Sequence, residues 1–268
     1  MHHEPYCLAV GKADEERLCI LNEVYNPFSQ PFLLKAGLQP GMRVLEVGCG
    51  TGILLNWIAE QVGPTGYVLG LDSSTEQLKI AEKNAQKQGL NHVEFKHLSV
   101  YELDRMTDHF DFIYARFVLM HLNDPALALA KMYDRLVSGG IIACECAMAD
   151  HLFSDPPSKP FEKMIKLTLQ VFLAQGKEAN LGKQLQSLFR RTGFAHIRES
   201  VAQPILRTER EKSLVTRSLT SFSKSMLQYG LSDPAELECL QQELELDCQH
   251  KEIFWAGIAL CQVAGRRT

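Results

Sequence analysis

The chain has no excess of positive charge. Its 28 lysines and arginines are outnumbered by 32 aspartates and glutamates, for a formal net charge of −4 over 268 residues. A nucleic-acid binder needs a basic face against phosphate, so no nucleic-acid partner is expected. Long apolar runs are missing as well. No stretch reaches the roughly 18 apolar residues of a membrane-spanning helix, and no secretory leader is recognisable. The chain therefore reads as cytoplasmic and unexported, with no membrane span. Regular cysteine spacing is absent too: the eight cysteines stand at 7, 19, 49, 144, 146, 239, 248 and 261. That irregularity fits reduced thiols better than a disulfide scaffold. Cys144 and Cys146 flank Glu145 in an apolar run, but no second pair completes a four-ligand metal set. They are expected as small buried hydrophobes, and no metal is expected. There is no internal repeat and no low-complexity tract.

What is present is concentrated at residues 44–52, Val-Leu-Glu-Val-Gly-Cys-Gly-Thr-Gly. An apolar run (Val44, Leu45, Val47) with the look of a buried parallel strand empties into Gly48, Gly50 and Gly52, and a helical apolar pattern follows at once. Glycine has no Cβ, so a ligand can lie against the backbone of such a turn. The following helix points its free N–H groups the same way. Glu46 stands at the C-terminal edge of the strand, where open α/β sheets bind ligands. The spacing is G-x-G-x-G after an acid. A dinucleotide fingerprint would want glycine where Ile53 stands, and no P-loop lysine is available for a triphosphate. A second strand-like run (Tyr67, Val68, Leu69, Leu71) ends in Asp72, an acceptor-only carboxylate suited to a ribose diol.

Strand and helix alternate through the first half, the mark of a parallel sheet. Ile53 to Val62 is a helix ended by Gly63-Pro64. Ser73 or Ser74 caps the next, which Gly89 stops. Val93 to Phe95 starts a third strand and Phe110 to Ala115 is a fourth. Asn123-Asp124-Pro125 opens a helix that Ser138-Gly139-Gly140 should close. Ile141 to Ala147 is a fifth strand. Past the proline-rich connection 155–160 the pattern turns mostly helical: Phe161 to Ala174, Leu185 to Arg191, Leu214 to Tyr229 and Ala235 to Gln249. Strands are expected at Ile197 to Leu206 and Ile253 to Val263, with Phe254 and Trp255 in the core.

Acid-G-x-G-x-G followed by a strand ending in Asp resembles the S-adenosyl-L-methionine site of class I methyltransferases. The stretch Phe110-Asp111…Ala115-Arg116-Phe117-Val118-Leu119-Met120-His121-Leu122 resembles the ubiquinone/menaquinone and natural-product groups of that family. Tyr6, Gly11, Asp14-Glu15-Glu16, Arg17 and Leu18 resemble the lid helix of its small-molecule members. The resemblance implies a Rossmann-like α/β fold, a seven-stranded, mostly parallel sheet of order 3-2-1-4-5-7-6. It further implies an N-terminal helical lid over 1–33, a cofactor-binding domain over 34–268, and helical cap segments at 150–192 and 207–250. Those segments are rich in apolar residues and are expected to enclose an apolar pocket. The alternative is that they thicken the core or form a homodimer interface.

Carried over residue by residue, the resemblance gives the backbone of Gly48, Cys49 and Gly50, continuing through Thr51 and Gly52, to the methionine moiety of the cofactor. Glu46 takes its ammonium, Asp72 the ribose hydroxyls, and Ser73 the side of the adenine. Ser99 stands where the family normally has an acid for the adenine amino group. Its neutral hydroxyl weakens that anchor by about 1 kcal/mol, while the Val100 N–H can still reach the ring edge. Arg116 is a candidate for the cofactor carboxylate or the substrate; the other reading is a surface arginine whose backbone alone lines the pocket. His121 is a candidate general base or a loop brace. One of Glu145, Asp150 and His151 is expected to face substrate, with Asp150 the catalytic candidate. The implied reaction is methyl transfer by in-line displacement to a small-molecule acceptor. A protein or RNA methyltransferase, or a non-catalytic cofactor binder, are the alternatives. The Asn/Asp-Pro-Pro-Tyr motif of amino-methylating nucleic-acid enzymes is absent, with Tyr114-Ala-Arg-Phe117 in its place.

Overall fold

A strand run apolar on both sides must be covered on both faces, and the structure supplies that cover. A computed structural model describes residue 11 and residues 14–268. Tyr6 and Cys7 therefore lie outside the described residues. In chain order the elements are α1 (Glu15–Ala36), β1 (Arg43–Val47), α2 (Ile53–Val62), β2 (Tyr67–Asp72), α3 (Thr75–Lys87), β3 (Val93–His97), β4 (Phe110–Arg116), α4 (Pro125–Asp134) and β5 (Leu136–Met148). There follow β6 (Ser154–Asp155), α5 (Lys159–Ala174), α6 (Leu185–Thr192), β7 (Ala195–Ala202), β8 (Ile205–Leu206), α7 (Glu209–Gln228), α8 (Pro234–Gln249), β9 (Phe254–Ala256) and β10 (Ala259–Arg266).

The main sheet has the order β3-β2-β1-β4-β5-β10-β7. Its first five strands pair in parallel, and β10 enters antiparallel between β5 and β7. This is the expected order, since β10 is the seventh long strand and β7 the sixth. Alternate residues feed two cores. Val44, Phe112, Tyr114 and Ala143 meet α2 residues such as Leu55 and Ile58 on one face. Leu45, Val47, Ile113, Ile142 and Cys144 meet Leu129 and Met132 of α4 on the other. Cys144 and Cys146 are free and buried in this second core.

Three local expectations are corrected. α4 ends at Asp134, and Ser138-Gly139-Gly140 lies inside β5, where the pairing with β4 slips between Phe110 and Phe112. A register slip absorbs the glycines without ending the strand. The strand expected over Ile197 to Leu206 breaks at Gln203-Pro204, because proline has no N–H for the ladder. β7 stays in the main sheet while β8 joins a small sheet of order β6-β9-β8. The strand expected over Ile253 to Val263 breaks likewise, into β9 and β10. Gly257 N–H donates to Pro204 O at 2.8 Å, closing one corner of both chain reversals. Trp255, in β9, is fully buried and stacks on Phe161 at 4.9 Å.

Of the later helices, α7 packs against α1, α5 and α8. Among the described residues no helix is long and apolar enough to cross a membrane.

Candidate functional site

The glycine turn after β1 is tied to its neighbour strand by its own backbone. Gly48 N–H and Cys49 N–H both donate to Leu71 O, at 2.7 and 2.9 Å, and Gly52 N–H closes the turn on Cys49 O at 3.0 Å. Asp72, which ends β2, then reaches across: its Oδ2 accepts from Gly50 N–H at 2.9 Å and its Oδ1 from Ser74 N–H at 2.8 Å. Gly50 has φ +55°, and a Cβ there would meet nothing nearer than Leu18 Cδ1 of α1 at 4.0 Å. Among the described residues no other atom outside its chain neighbours comes within 4 Å of that position. Gly52 serves packing instead, since a Cβ would come 2.9 Å from that of Ala81 in α3. Gly52 is also the N-cap of α2 and offers no side chain, so the first-turn N–H groups carry no side-chain cap. Thr51 is buried; its carbonyl accepts from Asn84 Nδ2 at 3.0 Å, and its Oγ1 has no hydrogen-bond partner among the described residues.

Glu46 sits on β1 just before the turn and is 5% exposed. Burial pushes its carboxyl up to about 8; the Arg116 cation pulls it down and the Asp72 charge pushes it further up. Its Oε2 has no hydrogen-bond partner among the described residues. A buried, unpaired carboxyl oxygen is costly unless something cationic or protic meets it. Burial also raises Asp72, opposed by the backbone N–H groups of Ser74, Gly50 and Ser73. Ser73 is exposed, and its carbonyl lies 2.9 Å from His97 Nε2. Ser99 caps the 3-10 turn over Val100–Arg105: its Oγ accepts from Tyr101 N–H at 3.3 Å, and Glu102 bonds back to Ser99 N–H. Val100 is buried.

The turn after β4 opens on Phe117, a non-glycine residue at φ +56°. Strain of this kind persists only where neighbours fix it. Phe117 N–H donates to Glu145 O at 2.9 Å, and Tyr25 of α1 meets its ring edge-on at 5.2 Å. Arg116 reaches α1 rather than the surface, with bonds of 2.8–3.0 Å to Asn22, Asn26 and Ser29. His121 is buried against Phe172, ring to ring at 5.3 Å. Burial, reinforced by the cations of Lys177 and Arg17, pushes its imidazole down to about 3, so it is neutral at ordinary pH. Asp150 lies past β5, exposed, in an ion pair with Lys183 and 3.7 Å from His151. Its backbone N–H donates to Asn180.

Glu145 does not face open space. It is fully buried and accepts from Ser29 Oγ at 2.6 Å, Gln262 Nε2 at 2.6 Å and Tyr114 OH. The glycine turn, Glu46 and Asp72 are thus brought together, while Asp150 bonds to a separate segment before α6. The Arg116–Glu145 cluster with Asn22, Asn26, Ser29 and Gln262 was not foreseen from the sequence. A charged residue between Cys144 and Cys146 in a central strand was the signal, because such a group demands buried donors. Among the described residues no three metal-ligating side chains converge.

Residues 38–193 match the family model described as a methyltransferase domain. The chain belongs to this methyltransferase family. A demethylmenaquinone methyltransferase of Listeria welshimeri is 36% identical over 107 residues, 40% of this chain and 45% of that protein. The chain thus spans less than half the length of that curated relative. Among solved structures, the YcgJ protein from Bacillus subtilis superposes with a TM-score of 0.60 at 18% identity, covering 89% of this chain and 97% of that one. A putative methyltransferase from Bacillus halodurans C-125 gives 0.58 at 15% identity, covering 90% and 100%. At these identities the structural likenesses establish the methyltransferase fold. The family match includes the segment that carries the glycine turn, Asp72 and β4.

Proposed function

We propose that the chain transfers a methyl group from S-adenosylmethionine to a small-molecule acceptor. One observation carries the reading: Glu46, a buried carboxyl with an oxygen unpaired among the described residues, stands beside a turn where a Cβ on Gly50 would meet only Leu18 Cδ1 of α1, at 4.0 Å. The donor set fits the cofactor. Glu46 would take the ammonium, Asp72 the ribose hydroxyls, and the bare backbone of Gly48 to Gly50 the methionine chain. Asp72 already has one backbone N–H on each oxygen, which fixes its plane and leaves lone pairs for two hydroxyls. Ser73 would lie beside the adenine. Ser99 Oγ is engaged as a cap acceptor, so its hydroxyl proton and the Val100 N–H are what remain for the ring edge.

When bound, S-adenosylmethionine supplies a methyl group activated on a sulfonium. The chain's own task is to align an acceptor with that methyl group and to exclude water. Orientation alone supplies roughly 7–11 kcal/mol of barrier reduction. α1 approaches the turn through Leu18, while His121, Phe172 and Phe222 pack in sequence within the core. Burial makes His121 a weak base, and Asp150 is held by Lys183 and Asn180, so neither is assigned the proton transfer. The small-molecule reading is supported by the acidic balance of the chain and by relatives named for demethylmenaquinone.

Calorimetry with S-adenosylhomocysteine tests the reading. Micromolar-range binding to the wild-type chain is expected. Asp72→Ala should weaken it by on the order of 1.5–3 kcal/mol, the loss of charge-assisted bonds, while leaving the circular dichroism spectrum intact. No heat at millimolar ligand would sink the proposal.

A further inference from the structure

Arg116 closes β4 and spends its guanidinium on one helix. Nη1 donates to Asn26 Oδ1 at 3.0 Å and to Ser29 Oγ at 2.9 Å, and Nη2 donates to Asn22 Oδ1 at 2.8 Å. The three acceptors stand four and three residues apart, so they share one face of α1. That face meets a polar row running across the sheet. Glu46 pairs in register with Tyr114, Arg116 with Glu145, and Glu145 with Gln262. Ser29 joins Glu145 from the helix side, and Gln262 Nε2 also donates to Phe28 O at 3.3 Å. Buried donors and acceptors matched this closely admit one seating of the helix, because any shift leaves several unpaired.

α1 needs such a grip. Pro27 and Pro31 lie inside it, and each removes a backbone donor from the helical ladder. The turns so weakened are those that Arg116 and Glu145 hold. Beyond them the N-terminal half of α1 carries Leu18 to within 4.0 Å of where a Cβ on Gly50 would stand. That half is fastened at its far end to α7, where Arg210 bonds Glu16 and Glu23, and Ser221 donates to Asp14.

We propose that Arg116 is a positioning residue that seats α1 as a lid over the cofactor turn, acting through the helix and not by touching the cofactor. The proposal rests on the reading of that turn as the cofactor site. It places the cover of the turn in line with the cofactor strand β1: Glu46 stands in register with Tyr114, whose hydroxyl joins the Glu145 cluster, and Arg116 ends on Asn22 and Asn26. Those two residues also line a groove of about 370 Å³ between α1 and Ile53, at the start of α2.

The test compares two ligands, S-adenosylhomocysteine and 5′-methylthioadenosine; the second lacks the amino-acid carboxylate. Calorimetry is run on the wild-type chain, Arg116→Ala, Arg116→Lys, Asn22→Ala and the double variant Arg116→Ala/Asn22→Ala. A lid residue should weaken both ligands, at least tenfold for 5′-methylthioadenosine in Arg116→Ala, with a further loss for S-adenosylhomocysteine because Glu46 loses the cation that holds its carboxyl down. Asn22→Ala should act in the same direction, and the double variant should bind no worse than Arg116→Ala, since both changes remove one coupling. Lysine should not restore binding, because a single ammonium cannot span three acceptors set for a planar fork. Amide exchange across residues 15–26 should quicken in Arg116→Ala while the strands of the sheet keep their protection. If Arg116→Ala does not fold, Asn22→Ala alone decides between the outcomes. A loss confined to S-adenosylhomocysteine would make Arg116 a direct carboxylate contact and overturn the proposal. So would additive losses, or unchanged binding in both single variants. A wild-type chain that binds neither ligand would overturn the cofactor reading first, and the lid with it.

Discussion

Glu46 turns the candidate site into a pH-sensitive one, and the sign follows from its surroundings. Buried and without a partner on Oε2, its carboxyl keeps a proton up to about pH 8, whereas the unfolded chain releases it near the ordinary value of 4.5. Folding stability from this residue is therefore full below pH 4.5 and drains away as pH rises towards 8. A ligand ammonium works in the opposite direction, because it needs the carboxylate. Below about pH 8 binding must expel the proton, so affinity should climb as pH rises. S-adenosylhomocysteine is expected to bind about tenfold tighter at pH 8 than at pH 6.5, and to release close to one proton at pH 7. Binding heats measured in buffers of different ionisation enthalpy report that proton. An affinity flat across this range would mean that Glu46 never meets the ammonium. This residue, the glycines and Asp72 were legible in the sequence because their demands are local: a turn that excludes side chains, and acids at strand ends. Arg116 and Glu145 were not, because their partners Asn26 and Ser29 lie 90 and 116 residues away.

At the scale of elements, the strand–helix alternation was readable from apolar spacing and caps. Asp124 caps α4 through Leu127 N–H at 2.9 Å with Pro125 at its first turn, as the sequence indicated, and Gly193 ends α6 in the left-handed conformation. What spacing does not carry is where a continuous apolar run changes sheets. The runs over 197–206 and 253–263 each split at a corner whose closing bond joins Pro204 to Gly257, a pairing invisible to periodicity. Nor does composition reveal that α1 runs unbroken through two prolines. Side-chain bonds to β4 and β5 replace the backbone bonds that the prolines remove, and Glu145 is their centre. Glu145→Ala strands the hydroxyls of Ser29 and Tyr114 and the amide of Gln262 in the interior, next to the Arg116 charge. A loss of about 3 kcal/mol or more in folding free energy is expected, with a smaller loss for Glu145→Gln. Urea unfolding measures both, and a loss below about 1 kcal/mol for alanine would show that the network contributes little to seating α1.

For the whole molecule, topology decides which residues meet at the candidate site. The strand order puts the C-terminal ends of β1, β2 and β4 side by side, so Glu46, Asp72 and the strained Phe117 fall along one rim. α1 meets that rim at Leu18 and Arg116, and α7 is tied to α1: Arg210 bonds Glu16 and Glu23, and Ser221 bonds Asp14. α7 is in turn packed on α5 and α8. The two attachments of α1 differ in kind. Its middle is held by a network centred on fully buried Glu145, while at its N-terminal half Arg210 and its glutamates, beside the buried Ser221–Asp14 bond, are about half exposed, and pairs of that sort contribute little. The N-terminal half should therefore open at a lower free energy than the sheet, which is what entry of a ligand requires. In the free protein, amides of residues 15–22 and of the α1-facing half of α7 should exchange by local opening, while those of β1, β4 and β5 exchange only on global unfolding. Saturating S-adenosylhomocysteine should slow the first set selectively. It should also raise global stability by about 2.7 kcal/mol at a hundred times its dissociation constant. Equal protection of α1 with and without ligand would show that the helix is a fixed wall, and the path to Gly50 would then have to run from the side of Ser73 and Ser99.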